Sequence, residues 1–563
     1  MSRGHRRTGL PAARSSRRSR PTTSSGRPAS AAGGRIGGVP IVVAGHSLQE
    51  VDDAGTPTGA AVATADVAAF RAEVRRREDA GAPRWVFTDT AAAYPPLLAG
   101  GVRPRRCHDL ALTGALLSGY AGERVAAAPS DGSDGAQPDL FAVEPPPPDP
   151  RAELADAVGR YAAQLRGVAA TTLPRRFELL VAAESAGALA ACEMTAAGIP
   201  WSVTAHDAEL ALLLGEPDPD GGRPGRLAAL AVEVRDAFGR AVNPDSPADL
   251  LAAFRQDGYA IDSTRAWTLQ RLDHPAVAPL LAYKELARIH SAHGWAWQRD
   301  WVRDGRFRPT YVPGGVVSGR WATRGGGALQ VPRRLRRAVV ADPGHLLVVA
   351  DAGQADPRVL AAMSGDPGMA EAARGDDMYA ALAEQAFDGD RARAKVGLLG
   401  AMYGQTGGQA AQPLATLRRR YPVALELLER AARRGEQGEL VRSHLGRTCP
   451  PPRPGEVDTV PGARARGRFT RNFVVQATTA EWTLALLAGL RLRLARLRRA
   501  DRDVELVFYQ HDEVMVHAER SLVDDVTAAV HDAGAEATRL LFGDTPVRFP
   551  LDVKAAESYA DAH

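Results

Sequence analysis

Two apolar runs in this chain end on carboxylates, and that pairing constrains the fold more than any other feature. The first reads Leu346-Leu347-Val348-Val349-Ala350-Asp351. The second runs from Val504 to Gln510, meets His511-Asp512-Glu513, and resumes as Val514-Met515-Val516. Short runs rich in valine and leucine predict strands buried in a sheet. An acid at the end of such a strand projects from a rigid sheet edge. Two of them, Asp351 and Asp512, suit a pair of divalent cations that activate an attacking oxygen and stabilise a leaving phosphate oxygen.

Between the two runs lies a basic segment. Arg391, Lys395, Leu399 and Tyr403 recur every four residues, so on a helix they share one slowly drifting face. That face offers a guanidinium and an ammonium for phosphates, then an apolar and an aromatic residue for a base. The chain holds 70 basic residues, and only Lys284, Lys395 and Lys554 are lysine. A lysine kept in so arginine-rich a chain suits a task arginine cannot fill, such as a compact, titratable point charge. A lone lysine on a solvated helix is more often a chance survivor; here its neighbours favour a role. Acids, basic helix and their order point to nucleotidyl transfer.

These segments resemble the polymerase module of family A (polymerase-I-like) DNA polymerases. Asp351-Ala352-Gly353-Gln354-Ala355-Asp356-Pro357-Arg358 is similar to the family's first palm motif. Residues 391–404, reading RARAKVGLLGAMYG, resemble its fingers helix, and His511-Asp512-Glu513 its second palm carboxylate motif. Arg468, Asn472 and Gln476 match a palm helix that contacts primer, template and minor groove. Ser318-Gly319-Arg320 and Leu329-Gln330-Val331-Pro332 resemble a further conserved pair of segments. The resemblance runs from about Arg175 to the C-terminus. It implies an α+β fold, a right-hand palm, fingers and thumb preceded by a smaller α/β exonuclease-like (ribonuclease-H-like) domain.

The resemblance also implies roles. Asp351 and Asp512, with the Ala352 carbonyl, are expected to hold two Mg²⁺ ions, with Glu513 as a supporting acid. Arg391 and Lys395 are expected at the triphosphate, Lys395 also as proton donor to pyrophosphate. Tyr403, Leu399, Gln354, Asp356 and Tyr379 complete the expected dNTP site. Arg320, Gln330, Arg336, Arg468, Asn472, Gln476 and His511 are expected on DNA. Three positions depart from the family pattern. Asp356 stands for a longer Glu that excludes ribonucleotides, Leu399 for an aromatic, and Tyr379 for a phosphate-contacting His. The implied partners are primer–template DNA and dNTPs, bound by a monomer in the cytoplasm, associated with the nucleoid, in replication or repair. Two alternatives stay open: a catalytically impaired DNA-binding scaffold, and a two-metal nuclease.

Organisation follows composition. A chain of 563 residues with 45% apolar content predicts several cored domains. Net charge is only +4, yet arginine clusters at 333–337, 418–420, 464–471 and 491–499, as suits a surface tracking a phosphate backbone. The expected domains are a disordered basic arm (1–39), an exonuclease-like domain (40–127), a Pro-rich linker (128–150), a helical remainder of that domain (151–174) and the polymerase (175–563). The exonuclease-like domain reads as degenerate. Asp109 alone stands at a motif-like position, while Gln164 and Leu165 follow Tyr161 where acids are expected, and Gly45-His46 follows the first strand. Proofreading is therefore expected to be absent. Cys107, Cys192 and Cys449 show no zinc-ligand or disulfide spacing, which fits a reducing compartment. No apolar run is expected to reach bilayer length, because Arg491 and Arg493 interrupt the longest. Gly325-Gly326-Gly327 reads as a flexible loop.

Overall fold

The computed structural model describes residues 38–124, 149–219, 221–404, 411–499 and 502–562. Most of the expected arm and of the Pro-rich linker lies outside the described residues. The α+β organisation is as expected, with a small mixed sheet preceding a larger antiparallel one.

The small sheet has the order Val62–Ala63, Ser47–Glu50, Ile41–Ala44, Arg84–Phe87, Arg106–Asp109. Ile41–Ala44 is buried along its whole length and pairs parallel with Arg84–Phe87, as a continuous apolar strand between two layers should. Helix Val67–Gly81 begins where Asp66 accepts a hydrogen bond from the Ala69 amide. Side chains alternate across the pleat. Ile41, Val43, Trp85 and Phe87 pack with Phe70, Tyr94, Leu97 and Leu189 on one face. Val42, Ala44 and Val86 meet Leu154, Ala157 and Tyr161 of helix Pro150–Ala169 on the other.

Helix Pro174–Ala197 joins the two halves. Its Leu189 belongs to the small-sheet core, while Phe177, Leu180 and Ala190 belong to the core of the larger sheet. Glu193 on this helix is buried and takes a hydrogen bond from Tyr94 and a fork from Arg491 at 2.7 and 2.9 Å. Removing one member of such a buried pair costs about 3–5 kcal/mol.

The larger sheet has the order Val504–Gln510, Glu513–Glu519, His345–Ala352, Leu551–Ala556, all antiparallel. Val348, Ala350 and Ala352 face helices Val460–Leu497 and Val523–Phe542. Leu347 and Val349 face the opposite core, with Phe508, Met515 and Tyr559. A helical core around Leu382, Leu398, Leu428 and Phe473 carries the basic helix. The helices from Val203 to His293 form two smaller cores.

Two expectations need correction. Helices Pro174–Ala197 and Val460–Leu497 are long and apolar enough to cross a membrane, with mean hydropathy 1.3 over their best windows. Those windows are 67% and 83% buried inside the protein, because each helix is packed on several sides. Arginines at 491 and 493 do not interrupt a surface face; Arg491 is buried on Glu193 and Arg493 pairs with Glu536 at 2.7 Å. The glycine run 325–327 is not a loose loop. All three residues are left-handed, Gly326 accepts a hydrogen bond from Trp297 Nε1 at 2.8 Å, and a Cβ on Gly325 would strike the Trp301 ring.

Helix Val460–Leu497 also buries Glu481, bound by the Ser443 hydroxyl and the Leu445 amide. Burial pushes its pKa up to about 7, against hydrogen bonds from Ser443 that lower it. A raised folded-state value means the stability it contributes is complete below the unfolded value and lost as pH rises towards 7. Glu481→Gln keeps one of the two acceptor oxygens and removes the charge. Its denaturation midpoint relative to wild type is expected to rise between pH 5 and pH 8, by the equivalent of about 2–2.5 kcal/mol. A pH-independent difference would refute this.

Candidate active site

Asp351 lies one residue from the end of its strand, on the face shared by Leu347 and Val349. The register sets Glu513 directly opposite on one side and Asp552 on the other. Asp512 stands on the adjoining hairpin turn, where His511 takes a positive φ of 58° and is exposed. The Ala352 amide donates to the Asp512 carbonyl at 3.0 Å, pinning that turn to the end of the Asp351 strand. Burial, then Asp351 and Asp356, push the Asp512 pKa up to about 7. Burial and Asp552 raise that of Asp351. Such crowding disfavours two negative charges, and a divalent cation would remove the penalty. The donors are hard oxygens, which suit a hard divalent cation. Among the described residues, no group of three or more His, Cys, Asp or Glu side chains forms a metal cage. A cation here would rely on this pair, the backbone and substrate oxygens.

Glu513 is buried and accepts from the Tyr559 hydroxyl. Burial raises its pKa, against that hydrogen bond. Arg336 stacks its guanidinium 4.5 Å from the Tyr559 ring centre, so it packs on the C-terminal turn Tyr559–Ala562.

The basic helix spans Arg391–Tyr403, with Asp390 accepting from the Arg393 amide and Gly404 ending it in the left-handed region. Ala394, Leu398, Ala401 and Met402 are buried, leaving Arg391, Lys395 and Tyr403 exposed and Leu399 half-buried against the core. The period-four set therefore shares the open face. No ion pair engages Lys395 among the described residues. Arg391 Nε donates to Asp377 Oδ2 at 2.7 Å, and its guanidinium lies 5.7 Å from the Tyr379 ring centre. Tyr379 is buried; burial, then the nearby charges of Asp356 and Tyr403, push its pKa up to about 12. Asp356 accepts from Thr479 at 2.6 Å and from Arg320 at 3.4 Å. Gln354, with a positive φ of 59°, donates to Asp377 at 2.9 Å and accepts from the Met378 amide at 2.8 Å, so its amide is engaged at both ends.

Arg468, Asn472 and Gln476 lie on the less buried side of helix Val460–Leu497, with Phe473, Val474 and Val475 buried between them. A Cβ on Gly404 would come within 2.8 Å of Arg468 Cγ, so the basic helix ends against Arg468. Gln330 is exposed on the turn Ala328–Gln330, which Gln510 ties to the carboxylate hairpin by donating to the Leu329 carbonyl at 2.6 Å. Gly319, with φ 84°, packs on the Arg447 guanidinium, itself paired with Glu184; no side chain fits there. That contact aims the next residue, Arg320, at Asp356.

Residues 224–561 match the family model "DNA polymerase family A". The chain belongs to DNA polymerase family A. It is 29% identical over 346 residues to DNA polymerase I of Chloroflexus aurantiacus, covering 56% of this chain and 36% of that protein. It is 25% identical over 382 residues to DNA polymerase I of Pseudomonas aeruginosa, covering 60% and 40%. The thermostable DNA polymerase I of Thermus aquaticus is 26% identical over 323 residues, covering 52% and 37%. The matched region is thus less than half the length of these relatives. Among solved structures, the fold is similar to the POL domain of Pol1 from M. smegmatis in complex with DNA primer-template and dNTP. The TM-score is 0.67 at 20% identity, covering 93% of this chain and 96% of that one.

Within this family A chain, sequence reading missed three residues of the site. Asp377 carried a signal, an acid directly before a helical stretch, yet it bonds both Gln354 and Arg391. Thr479 and Asp552 carried none, since strand register and helix crossing bring them to Asp356 and Asp351.

Proposed function

We propose that this chain is a DNA-templated DNA polymerase that adds dNTPs to a primer 3′-hydroxyl. One observation carries the reading: Gln354, three residues after Asp351, donates to Asp377 at 2.9 Å, and Asp377 accepts from Arg391 at 2.7 Å, so the acid pair and the basic helix border one site. The 3′-hydroxyl loses its proton to solvent water, its oxygen attacks the α-phosphorus, the bond to the bridging oxygen breaks, and pyrophosphate leaves. Asp351, Asp512 and the Ala352 carbonyl would hold Mg²⁺, which when bound supplies positive charge to the reacting oxygens. Arg391 and Lys395 bind the triphosphate, and Lys395 gives a proton to the departing pyrophosphate. Tyr403 stacks at the templating position. His511 holds the primer end, and Arg468 and Gln476 meet minor-groove acceptors that every base pair offers.

Primer–template DNA and dNTPs are the proposed partners of a monomer acting in replication or repair. Extension of a labelled primer with Mg²⁺ and dNTPs tests the reading: elongation supports it, no change favours a scaffold, and shortening favours a nuclease. A nuclease has no use for Arg391, Lys395 and Tyr403 on one helix face.

Proofreading is proposed to be absent. Asp109 is buried as a helix cap, accepting from the Leu112 and Thr90 amides at 2.8 Å each. Gln164 pairs with His108 at 2.8 Å and donates to the Leu110 carbonyl, while Leu165 packs beside Tyr161. Neither side chain replaces an anionic ligand. A 3′-labelled primer with a terminal mismatch, given Mg²⁺ or Mn²⁺ and no nucleotide, is expected to stay full length. Mismatch removal that persists in Asp351→Asn and vanishes in Asp109→Ala would overturn this.

A further inference from the structure

We infer that Asp377 is a positioning residue that sets nucleotide affinity by fixing the orientation of the Arg391 guanidinium. The inference rests on the polymerase reading above and names how one part of that site is tuned. Asp377 begins helix Met378–Ala386, and its two oxygens have separate tasks. Oδ1 accepts from the Ala380 amide at 3.1 Å and from Gln354 Nε2 at 2.9 Å. Oδ2 accepts from Arg391 Nε at 2.7 Å. Gln354 in turn is three residues from Asp351 and is held by the Met378 amide. Asp377 therefore links the turn after the catalytic strand to the basic helix.

The choice of nitrogen matters. Asp377 engages Nε, which leaves the Nη1 and Nη2 edge of Arg391 without a hydrogen-bond partner among the described residues. That edge presents parallel N–H groups that match two phosphate oxygens. Tyr379 lies against the guanidinium at 5.7 Å and limits its swing on a second side. A long side chain that is already oriented loses less freedom when the triphosphate arrives. These hydrogen bonds also keep the Asp377 carboxyl low, at about 2, against partial burial, so it stays ionised throughout the working range.

Two effects of Asp377 on a triphosphate oppose each other. Its negative charge repels the ligand, and its hydrogen bond orients the ligand's partner. Arg391 and Asp377 are 52% and 41% exposed, so solvent and salt screen the repulsion. The orientation is short-ranged and escapes that screening. Orientation wins.

Asp377→Asn tests the inference cleanly. The Asn oxygen still caps the helix and accepts from Gln354, while its amide sets a donor against the Nε–H donor and releases the guanidinium. The expected result is a rise of about three- to tenfold in KM for dNTP, the worth of one such hydrogen bond. Turnover at saturating nucleotide should hold within about twofold, since no reacting atom is touched. Equilibrium dNTP binding to the complex with a dideoxy-terminated primer should weaken by the same factor, and the melting curve should not move. In an Arg391→Lys background, which lacks Nε, Asp377→Asn should add nothing. An unchanged or lower KM, or an undiminished effect in that background, overturns the inference. A wild-type protein that neither extends primers nor binds dNTP would instead refute the polymerase reading.

Discussion

Asp351→Asn and Asp512→Asn will each lower primer extension by at least about a hundred- to a thousandfold, the scale seen when one preorganised charge partner is removed from a reacting oxygen. Both acids sit at the joint of one strand end and one hairpin turn, locked by the bond from the Ala352 amide to the Asp512 carbonyl. Asparagine preserves volume and the backbone bond, so folding and primer–template binding should be nearly unchanged. Stability moves in a diagnostic direction. Burial with Asp351 and Asp356 nearby raises the Asp512 pKa to about 7, so its ionised form destabilises the metal-free fold above that pH. Asp512→Asn removes that charge, and its melting temperature in EDTA at pH 8 should equal or exceed that of wild type. Extension near the wild-type rate by either variant would remove these acids from the mechanism.

Lys395→Arg is the second large effect. The side chain is exposed on the open face, and the substitution keeps its charge at a slightly longer reach. A purely electrostatic role would leave extension near normal. A proton-donating role would not, because arginine scarcely gives up a proton. Turnover at saturating dNTP should fall about a hundredfold, the lower range for a lost general acid. KM should change far less. Wild-type turnover in the variant would refute the acid role and leave Lys395 as a phosphate ligand alone.

Local pattern made much of this site legible. Apolar runs marked the strand that carries Asp351 and the two strands that flank the Asp512 turn, and four-residue spacing marked the open face of helix Arg391–Tyr403. These features are written in consecutive residues, so periodicity and strand ends reveal them. The glycine run 325–327 was misjudged because composition alone suggests a loose loop, whereas Trp297, Trp301 and Phe307 arrive from other parts of the chain to pack it. The apolar helices were misjudged for a related reason. Their charged residues are compatible with burial because Glu193, Glu429 and Ser443 meet them from distant elements.

The sequence alone singled out the residues proposed to carry the chemistry: Asp351, Asp512, Arg391 and Lys395 stand in motifs whose spacing is local. Tertiary structure decided how those residues are held. Strand register set Glu513 and Asp552 across from Asp351, and helix crossing brought Thr479 to Asp356. The bond from Asp377 to Arg391 spans only 14 residues, yet it forms because two helices meet at that angle. Spacing along a chain fixes which side chains share a face. Which faces meet is decided by packing, because apolar faces are buried with little regard to sequence separation.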